Sequence, residues 1–134
     1  MSDVTGSQDS GVKDHGEGPA RLEVVGRDVH SMATEKGWWD GPQPIRVQRL
    51  LDWIIEEVEE ARNAYMDYGL SDWESTDADG LVKPEGMGSE LADIYMIVAD
   101  LALGLDFDLA GDSEKKLAYN RVRKYRRDAH GDDL

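Results

Sequence analysis

The 134-residue chain carries 29 Asp and Glu against 15 Lys and Arg, a formal net charge of −14 at pH 7. A field of that sign repels phosphodiester backbones and anionic lipid headgroups, so no nucleic-acid partner and no membrane partner are expected, and divalent cations are the natural counter-ligands. The length suits one domain, and the absence of cysteine excludes disulfides, thiolate metal sites and thiol nucleophiles and points to a reducing, cytoplasmic setting.

No run approaches the ~20 apolar residues of a membrane span, and the polar start through Gly18 lacks the apolar centre of a signal peptide. Residues 1–20, rich in Gly, Ser and Asp, are expected to be a disordered tail ahead of a domain over 21–131. Leu22, Val25, Val29 and Met32 predict a first helix from Arg21 to Lys36, stopped by Gly37. Trp38, Trp39 and Asp40 with Gly41-Pro42-Gln43-Pro44 read as a connector. A second helix from Ile45 to Tyr68 has apolar residues at Val47, Leu50, Leu51, Ile54, Ile55, Val58, Ala61 and Tyr65. Residues 69–88 are polar and read as a long loop, a class more often functional than idle. Ser89 suits the N-cap of a third helix over Glu90–Leu103, ended by Gly104, and Asp106 or Asp108 caps a fourth reaching about Arg127. No strand-like alternation of useful length occurs, so the expected fold is all-α, a four-helix bundle.

The carboxylates of the second helix are not equivalent. With Leu50 at zero and about 100° per residue, Glu57 lies at about −20°, Trp53 at about −60°, Glu60 at about −80° and Glu56 at about −120°. Three carboxylates and a tryptophan thus share one flank. The third helix is apolar on nearly its whole circumference, yet Glu90, Asp93 and Asp100 fall on one strip of it. Buried carboxylates need a cation or strong donors. Two from each of two facing helices form an oxygen-rich set suited to Mg²⁺ or Mn²⁺. For the second helix alone, a solvated acidic face is the competing reading.

On the fourth helix Lys116, Asn120 and Arg123 recur at i, i+4 and i+7, a face able to receive phosphate opposite an acidic cluster. The same basic segment also suits simple balance of acidic neighbours. Trp38 and Trp39 are candidates to stack on a base, with one of the two expected in the core. Trp53 borders the metal flank. Trp73 is either a lid residue or an anchor for its loop.

Four segments carry a family resemblance: Lys36-Gly37-Trp38-Trp39-Asp40, Glu57-x-x-Glu60-Ala61, Gly88-Ser89-Glu90-Leu91-Ala92-Asp93-Ile94 and Lys116-x-x-Tyr119-Asn120-x-x-Arg123. In this order they resemble the MazG-like all-α NTP pyrophosphatases, relatives of dimeric dUTPases and dCTP pyrophosphatases. The resemblance spans roughly residues 21 to 131. It implies hydrolysis of a nucleoside triphosphate to the monophosphate and pyrophosphate, with Mg²⁺ held by Glu57 and Glu60 and by Glu90 and Asp93. It assigns Glu56 to orienting or deprotonating the attacking water, with Glu57 beside it. A third helix apolar on almost every side is hard for three short neighbours to cover, which predicts a homodimer or a dimer of dimers. The competing functions are an acidic helical interaction module and a metal- and nucleotide-binding relative without turnover.

Overall fold

Among the described residues, runs of helix-forming residues broken by Gly and Pro give four helices and one hairpin: α1 (Gly18–Glu35), α2 (Gln43–Tyr68), β1 (Trp73–Thr76), β2 (Val82–Glu85), α3 (Met87–Gly104) and α4 (Leu109–Val122). The computed structural model describes residues 18–124, so most of the expected tail and the stretch from Tyr125 to the domain end at 131 lie outside the described residues. Among the described residues no helix is long and apolar enough to cross a membrane.

α3 is the central element, and α1 and α2 each pack against it. Its apolar circumference is what two such contacts require. On α1 the packed seam is Gly26, Val29 and Ala33, at i, i+3 and i+7, all buried. A Cβ at Gly26 would stand 3.3 Å from the Ala99 Cβ, so the small residue brings the two backbones close. The stripe expected on α1 is therefore displaced: Val29 is buried and Met32 half-buried, but Leu22 and Val25 remain exposed because the seam centres on the smaller side chains. The Tyr95 hydroxyl donates to the Leu22 carbonyl at 2.6 Å, tying the two helices at that end.

The broad apolar stripe of α2 divides in two. Leu50, Ile54, Glu57, Ala61 and Ala64, at i, i+4, i+7, i+11 and i+14, are the buried or half-buried strip toward α3, whereas Leu51, Ile55, Val58 and Tyr65 stay exposed. Glu57 thus sits within the packed strip, four residues before buried Ala61.

The α1–α2 connector is fixed by polar contacts. Gly37 adopts φ +79°, and the Trp38 amide donates to the Ala33 carbonyl at 3.0 Å. The Trp39 indole lies against α3 at Gly104, where any Cβ would overlap the ring. Its Nε1 donates to Asp100 Oδ1 at 2.9 Å, and His30 Nδ1 donates to the same oxygen at 2.7 Å. The Arg46 guanidinium stacks 5.3 Å over the Trp39 ring and donates to the Trp39 carbonyl at 3.0 Å. Arg49 donates to the Trp38 carbonyl, also at 3.0 Å. One polar network therefore joins α1, the connector, α2 and α3.

Residues 69–88 are more ordered than a loop. β1 and β2 pair antiparallel, with Trp73 opposite Glu85 and Thr76 opposite Val82. The turn is set by Asp77, whose Oδ1 accepts from the amides of Asp79 and Leu81, both at 2.9 Å. The Trp73 ring packs on Tyr68 with centroids 4.3 Å apart, which makes it an anchor for the hairpin. At four residues each, the strands are too short for alternation to register in the sequence. α3 begins two residues before Ser89, which does not cap it; Gly86 occupies the N-cap with φ +114°. A Cβ at Gly86 would stand 2.6 Å from the Ser71 carbonyl oxygen, so the neck of the hairpin closes only on glycine.

Asp108 caps α4, its carboxylate accepting from the Gly111 amide at 3.0 Å, while Asp106 takes φ +59° in the preceding turn. α4 ends at Val122, and Arg123 is already extended, so the helix stops short of the expected Arg127. None of its residues is buried, and Leu109, Leu117, Tyr119 and Val122 are exposed. Among the described residues the packed body is accordingly three helices and a hairpin, with α4 outside it.

Candidate metal centre and cleft

α2 and α3 face each other, and their registers set Glu57 against the first two turns of α3. Glu57, Glu90 and Asp93 each place a carboxylate oxygen within 4.8 Å of the others. Glu90 is only 8% exposed. Glu57 Oε2 is buried and has no hydrogen-bond partner. An orphaned carboxylate oxygen among two further carboxylates fits a hard divalent cation, because three oxygen donors are a set that Mg²⁺ or Mn²⁺ accepts. When bound, such an ion would neutralise the cluster and act as a Lewis acid.

The electrostatics show how poorly the cluster tolerates its own charge. Burial, then hydrogen bonding with Glu90, then repulsion from Asp93, Glu60 and Glu90 push the Glu57 carboxyl from its ordinary 4.5 up to about 7. Asp93 is also raised, first by burial and then by Glu90, while Lys83 acts in the opposite direction. Glu57 of the folded, metal-free protein therefore holds a proton up to about pH 7 that the unfolded chain releases near 4.5. The folded state binds more protons than the unfolded one within that window, so stability is expected to fall as pH rises through it. Thermal denaturation in chelator checks this: the melting temperature should decline from about pH 4.5 to about pH 7, and Glu57→Gln should flatten the decline.

Beside the carboxylates lies a cleft of about 510 Å³, walled by Val29, Met32, Trp38, Trp53, Met96 and Ile97 and bordered by Glu56, Glu57 and Asp93. Trp38 and Trp53 meet edge to face, with centroids 5.1 Å apart. Glu56 stands at the cleft's edge. Glu60 is close enough to repel Glu57, yet it is exposed and lines an outer groove with Glu56, Glu59, Arg62 and Asn63. Trp39 lies outside the cleft lining, held by Asp100.

Of the residues singled out in the sequence, the structure thus gathers Glu57, Glu90 and Asp93 into the cluster and Glu56, Trp38 and Trp53 around the cleft. It does not bring Lys116, Asn120 or Arg123 to the cleft wall: the first two are exposed on α4, and the Arg123 guanidinium lies 5.5 Å over the Tyr119 ring. Asp100, on the same strip of α3 as Glu90 and Asp93, belongs instead to the His30–Trp39 network. The two cleft methionines are additional; Met32 and Met96 read in sequence only as core.

Comparison with known protein families, with curated proteins and with solved structures gave no match.

Proposed function

We propose that the protein is a Mg²⁺-dependent nucleoside triphosphate pyrophosphatase of MazG-like type, Mn²⁺ serving in place of Mg²⁺. The observation that supports this most directly is the buried, unpartnered Glu57 Oε2 grouped with Glu90 and Asp93 at the end of an aromatic cleft. Carboxylates turned inward between two helices run against a purely solvated acidic face, and hence against an acidic interaction module. The apolar cleft supplies stacking surface for a base, with Trp38 and Trp53 as its aromatic walls. Phosphoanhydride cleavage asks mainly for positioning and charge neutralisation. In the hydrolysis, water adds at the α-phosphorus, the α–β phosphoanhydride bond breaks, and pyrophosphate departs with its electron pair. Glu56, at the rim of the cleft, takes the proton of that water, and Glu57 orients it. Glu60 completes the acidic group from the outer side of α2.

Assembly as a homodimer or dimer of dimers is part of the same reading. The exposed strip of Leu51, Ile55, Val58 and Tyr65 on α2, with the uncovered apolar residues of α4, is the surface a second chain would cover. Within such an assembly Lys116, Asn120 and Arg123 would approach a neighbouring site. A panel of ribo- and deoxyribonucleoside triphosphates with Mg²⁺ tests the activity, with pyrophosphate as the expected product. Release of no pyrophosphate from any of them would sink the enzymatic reading.

A further inference from the structure

Trp38 lies in the turn between α1 and α2, so no helix or strand fixes its ring in the cleft wall. A side chain on a turn holds a defined wall only where its backbone is fastened on both sides. On one side Gly37 takes φ +79° and the Trp38 amide donates to the Ala33 carbonyl at 3.0 Å. On the other side the fastening is a side chain, because Arg49 Nη1 donates to the Trp38 carbonyl at 3.0 Å. Arg49 and Trp53 stand one turn apart on α2, at i and i+4. The Trp53 ring in turn meets the Trp38 ring edge to face, with centroids 5.1 Å apart. One face of α2 therefore grips Trp38 twice, by its backbone and by its ring.

Charge balance does not account for Arg49. It shares a groove of about 480 Å³ with Asp52, Trp53 and Glu56. In a chain of net charge −14 it nevertheless forms no ion pair among the described residues, and its half-buried side chain is directed at a neutral carbonyl. Arg46, one turn earlier, makes the matching bond to the Trp39 carbonyl at 3.0 Å, but Trp39 stands outside the cleft lining. Arg49 is thus the arginine tied to the cleft wall. It precedes Glu57 by two turns of α2, about 12 Å along the helix axis, and so stands clear of the carboxylate cluster.

We infer that Arg49 is the positioning residue of the cleft's aromatic wall: by holding the Trp38 carbonyl it keeps the Trp38 indole against Trp53 and fixes the surface on which the nucleoside end of a ligand stacks. This role rests on the reading above that the cleft takes a nucleoside triphosphate. The hold on Trp38 is measurable without any ligand, so the two can fail separately.

Two indoles this close couple their transitions and give an exciton couplet in far-ultraviolet circular dichroism, read as the difference spectrum against Trp53→Phe. Arg49→Met, which keeps the apolar stem, should lose most of that couplet. It should bind the Mn²⁺–tripolyphosphate complex within about twofold of wild type, since the carboxylates are a distant site. It should bind the Mn²⁺ complexes of α,β-methylene-dTTP and α,β-methylene-dGTP about tenfold more weakly, through the lost stacking surface. Arg49→Lys, which restores a donor, should recover most of the couplet and of the affinity. With a hydrolysed nucleotide, KM should rise about tenfold in Arg49→Met while kcat changes little. Arg49→Gln, polar but too short to reach the carbonyl, repeats the test should Arg49→Met not fold. Isothermal titration calorimetry measures the affinities. A full couplet in Arg49→Met overturns the inference. Equal weakening of tripolyphosphate and of the analogues overturns it as well, because Arg49 would then serve the fold as a whole. Loss of the couplet with unchanged analogue affinity would uphold the hold on Trp38 and overturn the reading of the cleft as a nucleoside site.

Discussion

Asp93→Asn and Glu57→Gln are each expected to lower pyrophosphate release by about a hundredfold or more, while the metal-free variants melt no lower than wild type. The two effects have opposite signs for one reason. Folding brings three carboxylates within 4.8 Å of one another and leaves one Glu57 oxygen buried without a partner. Like charges in a desolvated site oppose folding, and an amide at Glu57 or Asp93 removes one of them at nearly constant volume. In the proposed reading the same carboxylate would be a ligand for the ion, so its loss would weaken metal binding directly. Saturating Mn²⁺ should therefore raise the melting temperature of wild type and raise that of the variants much less. Pyrophosphate assays and denaturation curves with and without Mn²⁺ measure both halves, and a variant with wild-type turnover would remove its residue from the metal site.

Asp100→Ala should be the most destabilising single change among the polar residues, at about 3 kcal/mol, lowering the melting temperature by roughly 10–20 °C. Asp100 is fully buried, and one of its oxygens accepts from both His30 and the Trp39 indole. Truncation strands both donors and opens a void at the junction of α1, α3 and the connector. Asp100→Asn keeps an acceptor for the indole and should cost less than half as much. Catalytic consequences should follow through Trp38, since the network that seats Trp39 also positions the residue before it against Trp53. Chemical denaturation of the three proteins, with KM measured on whichever remain folded, tests both parts.

The acidic pair on α3 was legible in the sequence because Glu90 and Asp93 interrupt a helix that is otherwise apolar, and such residues need partners. Glu57 was legible from its angular position beside Leu50. Asp100 shares the angular strip of Glu90 and Asp93, but seven residues beyond Asp93 it lies about 10 Å further along the axis, where a helical wheel is blind. Its partners, His30 and Trp39, are contributed by another helix and by a connector, and no spacing rule links them. The hairpin escaped notice because its register is fixed by Asp77 and by packing on Tyr68 and α3. The position of α4 was not readable either, because its apolar residues find no cover among the described residues and their periodicity therefore named no partner.

The closure of the hairpin at its neck also bears on how this scaffold can vary. Gly86 meets the Ser71 carbonyl so closely that the chain leaves α2 and returns to α3 through nearly one point. Whatever lies between those residues is an excursion whose two ends are already joined, and lengthening such an excursion costs little free energy. Insertions, deletions or an exchanged strand pair between Trp73 and Glu85 would leave the register of Glu57 against Glu90 and Asp93 undisturbed. The hairpin is thereby the part of the molecule most open to replacement, and it could vary without rebuilding the Glu57–Glu90–Asp93 cluster.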